Sequence, residues 1–486
     1  MLLTTVLGSG LVMLDGTVVN VALPGIGVEL DAGLASLQGI VNAYMLTQAG
    51  LLLFGGALGD RHGRRRVFVL GLVWFSAASL LCAAAANASW LIAARALQGI
   101  GAALLTPSSL AIIQGTFDPD DRSAAIGAWS GLGAVMTAIG PLLGGYLTAA
   151  MTWRLIFLIN LPFAALAVWA ALRHLPEDPD VNSPRQFDSA GAALSTLGLA
   201  GVIYALTAGP AAGWRSSGVL AAGLGGLGAL VVFVVVERTS SHPLMPLDLF
   251  RSRQFTAANL VTAAVYGALG GALFLLPIHL QRVVGLSALG SGLALMPMTV
   301  MMLLVSSAAG RLAQQAGPRM PMTIGPLIAA IGLALMERVG PGRAYVSTTL
   351  PAVLLFGLGL ALTVAPLTST VMAAAGTEGA GLASAINTVI ARAAGAIAVA
   401  ILPFVSGIVS PAALDPGVFL EGFGRAMWLA AGLTAAGGVL SYVTIRREPP
   451  IIPSTREMRP SGHHLSCPID APPWRPSHES TRFPER

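Results

Sequence analysis

The chain has 486 residues, 55% of them hydrophobic and only 10% charged, with a formal net charge of +5 and a mean hydropathy of +0.76. A soluble domain carries about 25% charged residues, so this apolar excess cannot be hidden in a soluble core and the chain reads as an integral membrane protein. Its basic residues are scattered over short loops, which excludes a nucleic-acid-binding face. Its two cysteines, Cys82 and Cys467, make neither a disulfide framework nor a metal site.

A spanning helix needs about 20 mostly apolar residues. Fourteen such segments are predicted, over 2–24, 37–59, 67–86, 89–113, 123–148, 153–172, 188–208, 216–236, 255–280, 286–309, 319–336, 346–372, 381–409 and 424–445. Gly and Pro recur inside them, which packed membrane helices tolerate. The first segment begins almost at Met1 without a basic leader region or a small-residue cleavage site, so no cleavable signal is expected.

The arginines orient the spans. With the N-terminus in the cytoplasm, inside loops hold Arg61, Arg64, Arg65, Arg66, Arg122, Arg173, Arg185, Arg238, Arg251, Arg253, Arg311, Arg319, Arg446 and Arg447. Outside loops hold only Arg154, Arg215, Arg282, Arg338, Arg343 and Arg425. This excess satisfies the positive-inside rule and puts both termini in the cytoplasm.

The first segment contains "LVMLDGTVVN", with Asp15 among apolar residues. An acid at the centre of a spanning helix costs about 2.5–3.5 kcal/mol on insertion scales. Such acids face a cavity and mark an ion or proton path; the alternative is an acid near enough to a helix end to reach water. The loop after the second segment reads "GALGDRHGRRRV" (56–67). Gly59 and Gly63 allow a tight turn, and Asp60 can accept from a helix N-terminus. Arg61, Arg64 and Arg65 can pair with acids in neighbouring loops, Asp118, Asp120 and Asp121 being candidates, or simply anchor the inside face.

The fourth segment carries "RALQGIGAA" (95–103). Arg95 cannot readily lose its charge, and its fork of donors can hold a carboxylate, water or substrate group. Gln98 lies on the same helix face, while Gly99 and Gly101 permit close helix approach. The fifth segment carries "GPLLGG", with Gly140, Pro141, Gly144 and Gly145. There Pro bends the helix and the small residues admit a neighbour.

Segments seven and eight carry few polar groups and look like a pair inserted between two six-helix halves. A repeat supports the halves: "GRLAQQAGPR" (310–319), after the tenth segment, shares Gly, Leu, Gly and Arg at matched spacing with residues 56–65, although Gln314 stands where Asp60 does. In the thirteenth segment Arg392, with Asn387, either lines a cavity opposite Asp15 or pairs with Glu378. Asn42, Tyr44, Gln48 and Asn259 are pocket groups or helix–helix hydrogen bonds, and His242 and His279 read as surface residues near the interfaces. The organisation expected is a six-helix bundle over 1–175, two linking helices over 188–236, a second bundle over 255–445, and a Pro-, Ser- and Arg-rich disordered cytoplasmic tail over 446–486.

With "LDGTVVNVALP" (14–24), "WRLIFLINLP" (153–162) and "FDSAG" (187–191), these stretches resemble the fourteen-helix drug:proton antiporter family of the major facilitator superfamily. The resemblance covers residues 1 to about 445 and departs at Met136, where the family pattern has a glycine. It implies an all-α carrier working by alternating access between two bundles. It implies a role in coupling or cation recognition for Asp15 and in proton transfer for Arg95; Gln98 and Arg392 join them as candidates for proton coupling or substrate contact from their own polarity and place in the spans. Gly56, Gly59, Asp60, Arg61, Gly63, Arg64 and Arg65 would form a conformational latch, and Gly140, Pro141, Gly144 and Gly145 the antiporter helix motif. The partners implied are protons, a small-molecule substrate and the lipid bilayer, in a monomer at the plasma membrane; no cofactor, metal or catalytic residue is implied.

The function expected is proton-coupled export of a small lipophilic or monocationic compound. A single mid-span acid favours monocationic, neutral or zwitterionic compounds over dications. The alternatives are a dedicated exporter of one metabolite or antibiotic, a proton-coupled uptake carrier and, last, a non-transporting membrane sensor. No P-loop, nucleophile or soluble domain suggests an enzyme.

Overall fold

The computed structural model describes residues 1–117, 121–175, 188–240, 243–408 and 415–446. Fourteen helices in it are long and apolar enough to cross a membrane, and no strand occurs among the described residues. They are α1 (Leu2–Glu29), α2 (Leu34–His62), α3 (Arg64–Ala83), α4 (Ala88–Thr116), α5 (Arg122–Ala150), α6 (Leu155–His174), α7 (Ser189–Ala212), α8 (Ser217–Thr239), α9 (Arg253–Arg282), α10 (Ala288–Ala316), α11 (Arg319–Leu335), α12 (Thr349–Ala374), α13 (Gly376–Val405) and α14 (Pro416–Thr444). The helix α6 carries a break at Ile159.

The helices outrun the apolar segments because polar residues fill their outer turns. The α2 helix continues through Arg61 and His62, and α1 runs past Pro24 to Glu29. The largest difference is α14, expected from 424 and starting at Pro416. Proline at a first helical position loses no hydrogen bond, so the helix begins there.

The packing repeats with an offset of eight helices. In the first half α1 packs on α4, α5 and α6, while α4 also packs on α2 and α3, and α3 on α6. In the second half α9 packs on α12, α13 and α14, while α12 also packs on α10 and α11, and α11 on α14. The duplicated loop obeys the same rule. Gly63, between α2 and α3, has φ +95°, and Gly317, between α10 and α11, has φ +86°. Both sit in the region a side chain strains to adopt, which is why glycine recurs at this turn.

The halves meet along α1–α9, α2–α13 and α5–α10. Among the described residues, several polar contacts between them lie at the end that holds the C-terminus of α1. Gln281 Nε2 donates to the Val21 carbonyl at 2.8 Å, Arg282 Nη2 to that of Pro24 at 3.4 Å, and Gln38 Nε2 to that of Val399 at 2.7 Å. The α7–α8 pair lies outside both halves, with α7 resting on α2 and α13. There Leu46, Ile203, Ala396 and Ala400 form a small apolar cluster of their own. Asp188 opens α7 as its cap, its Oδ1 accepting from the Gly191 amide at 2.6 Å.

One expectation needs correction. His279 is not a surface residue: it is wholly buried, its ring stacked on Phe423 at 3.9 Å and its Nε2 2.8 Å from the Val339 carbonyl. It lies near a helix end by sequence, but the stretch after α11 folds over it. His242 and the residues from 447 onward lie outside the described residues.

Candidate functional site

Three helices of the first half converge on Asp15. Its side chain is 0% exposed, and its oxygens are held from α4 and α6. Oδ2 accepts from Arg95 Nη1 at 2.5 Å, and Oδ1 accepts from Gln98 Nε2 at 2.9 Å and Asn160 Nδ2 at 3.2 Å. Gln98 Oε1 in turn accepts from Arg95 Nη1 at 2.6 Å. Ser79 Oγ, from α3, accepts from both Gln98 Nε2 and Asn160 Nδ2, at 2.8 and 3.0 Å. The Arg95 guanidinium lies over the Tyr44 ring, 4.1 Å from its centroid, and Nε donates to the Ile40 carbonyl at 3.4 Å. A buried carboxylate is tolerated only when its lone pairs are filled; here a cation and two amides fill them. Protonating Asp15 would remove the charge that Arg95 answers and leave the guanidinium the stronger donor to anything else in reach.

The sequence located Asp15, Arg95 and Gln98, and the structure brings the three together. It missed Ser79 and Asn160. The signal for Asn160 was present, an amide in the apolar run "LIFLINLP" beside the α6 break. Ser79 had none, since serine is common in membrane helices.

The fifth-helix motif explains how tightly Asp15 is seated. A side chain at Gly140 would run into Thr17 of α1, and one at Gly144 would lie 2.6 Å from the Val18 carbonyl. On its other face α5 meets the second half. A Cβ at Gly145 would lie 2.6 Å from the Ala288 carbonyl, and Gly292 of α10 abuts the Pro141 carbonyl. One short ridge therefore touches both the helix of Asp15 and the opposite half.

In the loop after α2, Arg64 Nη1 donates to the Ala111 carbonyl at 3.1 Å and Arg65 Nη2 to that of Leu172 at 2.9 Å. These bonds tie the start of α3 to α4 and α6 of the same half. Gly56 and Gly59 face Pro107 and Ser108 of α4. The Asp60 side chain, Asp118 and Asp120 lie outside the described residues.

Arg392 comes near the Asp15 cluster, on the other side of Tyr44 and Gly16, but is not bonded to it. The side chain of Glu378, the other candidate partner, lies outside the described residues. Arg392 faces α1 across the gap between the halves: a Cβ at Gly16 would meet only Arg392 Nη1, 3.8 Å away. No hydrogen bond or ion pair to Arg392 is found among the described residues. Asn387 donates to Asn259 Oδ1 at 3.0 Å and Thr262 Oγ1 at 2.6 Å, so these two asparagines join α13 to α9. On α2, both polar atoms of Asn42 and Oε1 of Gln48 are buried without a protein partner.

Two helical bundles with one packing plan, and among the described residues one ion pair buried at mid-span in the first, define a membrane-spanning protein of the carrier type. The family profile of the Major Facilitator Superfamily matches residues 5–197 and 183–400. The chain belongs to that superfamily, and its fourteen spans and its relatives set it among the fourteen-helix drug:proton antiporters. It is 36% identical over 388 residues to the methylenomycin A resistance protein of Bacillus subtilis, covering 79% of this chain and 82% of that one. It is 34% identical over 404 residues to the tetracenomycin C resistance and export protein of Streptomyces glaucescens, covering 82% and 74%. A multidrug resistance protein of Mycobacterium tuberculosis is 32% identical over 416 residues, covering 85% and 77%. Among solved structures, a bacterial homologue of the human lysosomal transporter Spinster, inward-facing and unoccupied, superposes with a TM-score of 0.66 at 17% identity. It covers 91% of this chain and 96% of its own, and shows the shared fold.

Proposed function

We propose that this protein is a proton-coupled efflux carrier of the plasma membrane that expels small lipophilic compounds from the cytoplasm. The observation that carries the reading is the wholly buried Asp15, held at mid-span by Arg95, Gln98 and Asn160 and backed by the α5 ridge. An acid in that position is a proton stop. The names of the relatives, two of them resistance proteins against single antibiotics and one a multidrug resistance protein, support export as the direction.

The halves 1–175 and 255–445 act as the two rocking bodies, with 188–236 as a linking pair, and the chain works as a monomer. The arginine distribution supports cytoplasmic termini. With that orientation the polar contacts between halves lie at the extracellular end, and the protein is open to the cytoplasm. Proton entry from outside neutralises Asp15 and releases Arg95. The stretch from Gly56 to Arg65, with Asp60, Arg61 and Arg64, latches the cytoplasmic face in the alternate state. The names of the relatives also support a second reading, a dedicated exporter of one antibiotic.

The test uses inside-out vesicles energised by a pH gradient, with a panel of cationic and anionic lipophilic dyes. Wild type is expected to accumulate at least one dye and to lose it on adding a protonophore. Asp15→Asn, at matched expression, is expected to lose the gradient-driven accumulation. Equal accumulation by the variant removes Asp15 from the coupling path.

A further inference from the structure

Two arginines lie in the middle of spanning helices, and their surroundings differ. Arg95 is buried, paired with the carboxylate of Asp15 and stacked on Tyr44. Arg392 is half-buried and has neither a hydrogen bond nor an ion pair among the described residues. Its electrostatic neighbours are the phenols of Tyr44 on α2 and Tyr266 on α9. It points toward Gly16, the residue after Asp15, and successive helix positions face about 100° apart. Asp15 therefore turns into its own bundle while Gly16 opens on the space between the bundles. There is room at this point: outside the backbone of α1 itself, nothing but Arg392 Nη1 lies within 4 Å of where a Gly16 side chain would begin. The other glycines of α1 that face helices are crowded, as at Gly8 against Phe68 and Gly25 against Thr148.

The charges at this level do not balance. Asp15 is the one acid in the middle of a span in the whole sequence, and Arg95 already neutralises it. The space between the halves is left with the positive charge of Arg392. An unpaired guanidinium at membrane depth is retained where it meets a counter-charge that comes and goes. A guanidinium is suited to one counter-charge above others, since its planar fork matches the two oxygens of a carboxylate or a similar delocalised oxyanion.

We propose that Arg392 recognises charge at the transport site, and that the substrates are lipophilic compounds bearing an acidic group: a carboxylate, or an ionised phenol or enol, alone or within a zwitterion. This deepens the transport reading and rests on it for the direction of movement, not for the binding. The sequence admitted monocations because it left Asp15 open as their counter-charge; in the structure that carboxylate has no free face. A monocation would meet Arg392 unshielded.

The test measures equilibrium binding to the purified full chain in lipid nanodiscs, with no gradient, using three pyrene probes of one shape. They are pyrenebutyrate, uncharged pyrenebutanol and pyrenebutyltrimethylammonium, each compared with empty nanodiscs. Wild type is expected to bind pyrenebutyrate at least tenfold more tightly than either of the others. Arg392→Gln should reduce that preference to less than threefold while still binding pyrenebutanol, and Arg392→Lys should keep part of it. Retained pyrenebutanol binding establishes that Arg392→Gln is folded; Arg392→Lys supplies the same control independently. Preference for the ammonium probe, an unchanged preference in Arg392→Gln, or no saturable binding of pyrenebutyrate by wild type overturns the proposal. Failure of proton coupling at Asp15 leaves all these outcomes unaltered, so the two readings fail separately.

Discussion

The two halves share one packing plan and differ in what they bury. In the first half, Asp15, Arg95, Gln98, Asn160 and Ser79 form a closed polar network across α1, α3, α4 and α6. In the second, the corresponding depth holds a small neutral set, Asn387 with Asn259 and Thr262, and an unpaired Arg392. A duplicated scaffold has thus been divided into a half that handles a buried ion pair and a half that offers an unanswered cation. Symmetry belongs to the backbone, function to the departures from it.

The largest effect that sharpens this contrast is expected at Arg95. Arg95→Ala strands a buried carboxylate, which costs about 3–5 kcal/mol. Thermal unfolding in detergent should report it as a marked loss of folded protein. The double variant Asp15→Leu, Arg95→Leu should recover most of the stability and none of the gradient-driven transport. If Arg95→Ala alone is as stable as wild type, the pair is not the closed unit described.

Next comes the α5 ridge. Gly144→Val forces a side chain against the Val18 carbonyl, 2.6 Å from where its Cβ would start. Overpacking of this kind costs about 1–3 kcal/mol. The same substitution at Gly432 of α14, where no atom lies within 4 Å, should be close to neutral in the same melt. The neutral set of the second half should matter less. Asn387→Leu loses two interhelical hydrogen bonds, which average about 0.6 kcal/mol each in membrane proteins, and transport should persist. Arg392→Gln is expected to change stability least, within about 0.5 kcal/mol, because none of the described residues bonds to it. A loss as large as that of Arg95→Ala would erase the distinction between the two arginines.

Much of the fold was legible because the bilayer imposes a length on every span. Fourteen apolar runs gave fourteen helices, and their ends shifted where polar residues such as Arg61 and His62 continue a helix past its apolar part. Pro416 was hidden because proline ordinarily signals a break, yet here it starts α14. At the site, Asp15, Arg95 and Gln98 stood out as polar residues in apolar surroundings. Their union did not, since Asp15 and Arg95 are 80 residues apart and no spacing encodes which helices touch. Ser79 was silent because uncharged polar residues serve membrane helices as ordinary packing, and Asn160, though it stood out in its apolar run, carried no charge to mark it as a partner of Asp15. Arg392 was visible as a charge, but whether it had a partner could be decided only by geometry.

The placement of α7 makes the two flanks of the molecule unlike. Two seams run between the halves, α2–α13 and α5–α10, and α7 leans on the first alone. On the other flank, Leu132, Ile139, Val300 and Leu304 present bare hydrocarbon to the lipid beside α5 and α10. The added pair of helices therefore breaks the twofold likeness of the outer wall: one junction of the halves is covered by protein, the other is left to whatever surrounds the molecule.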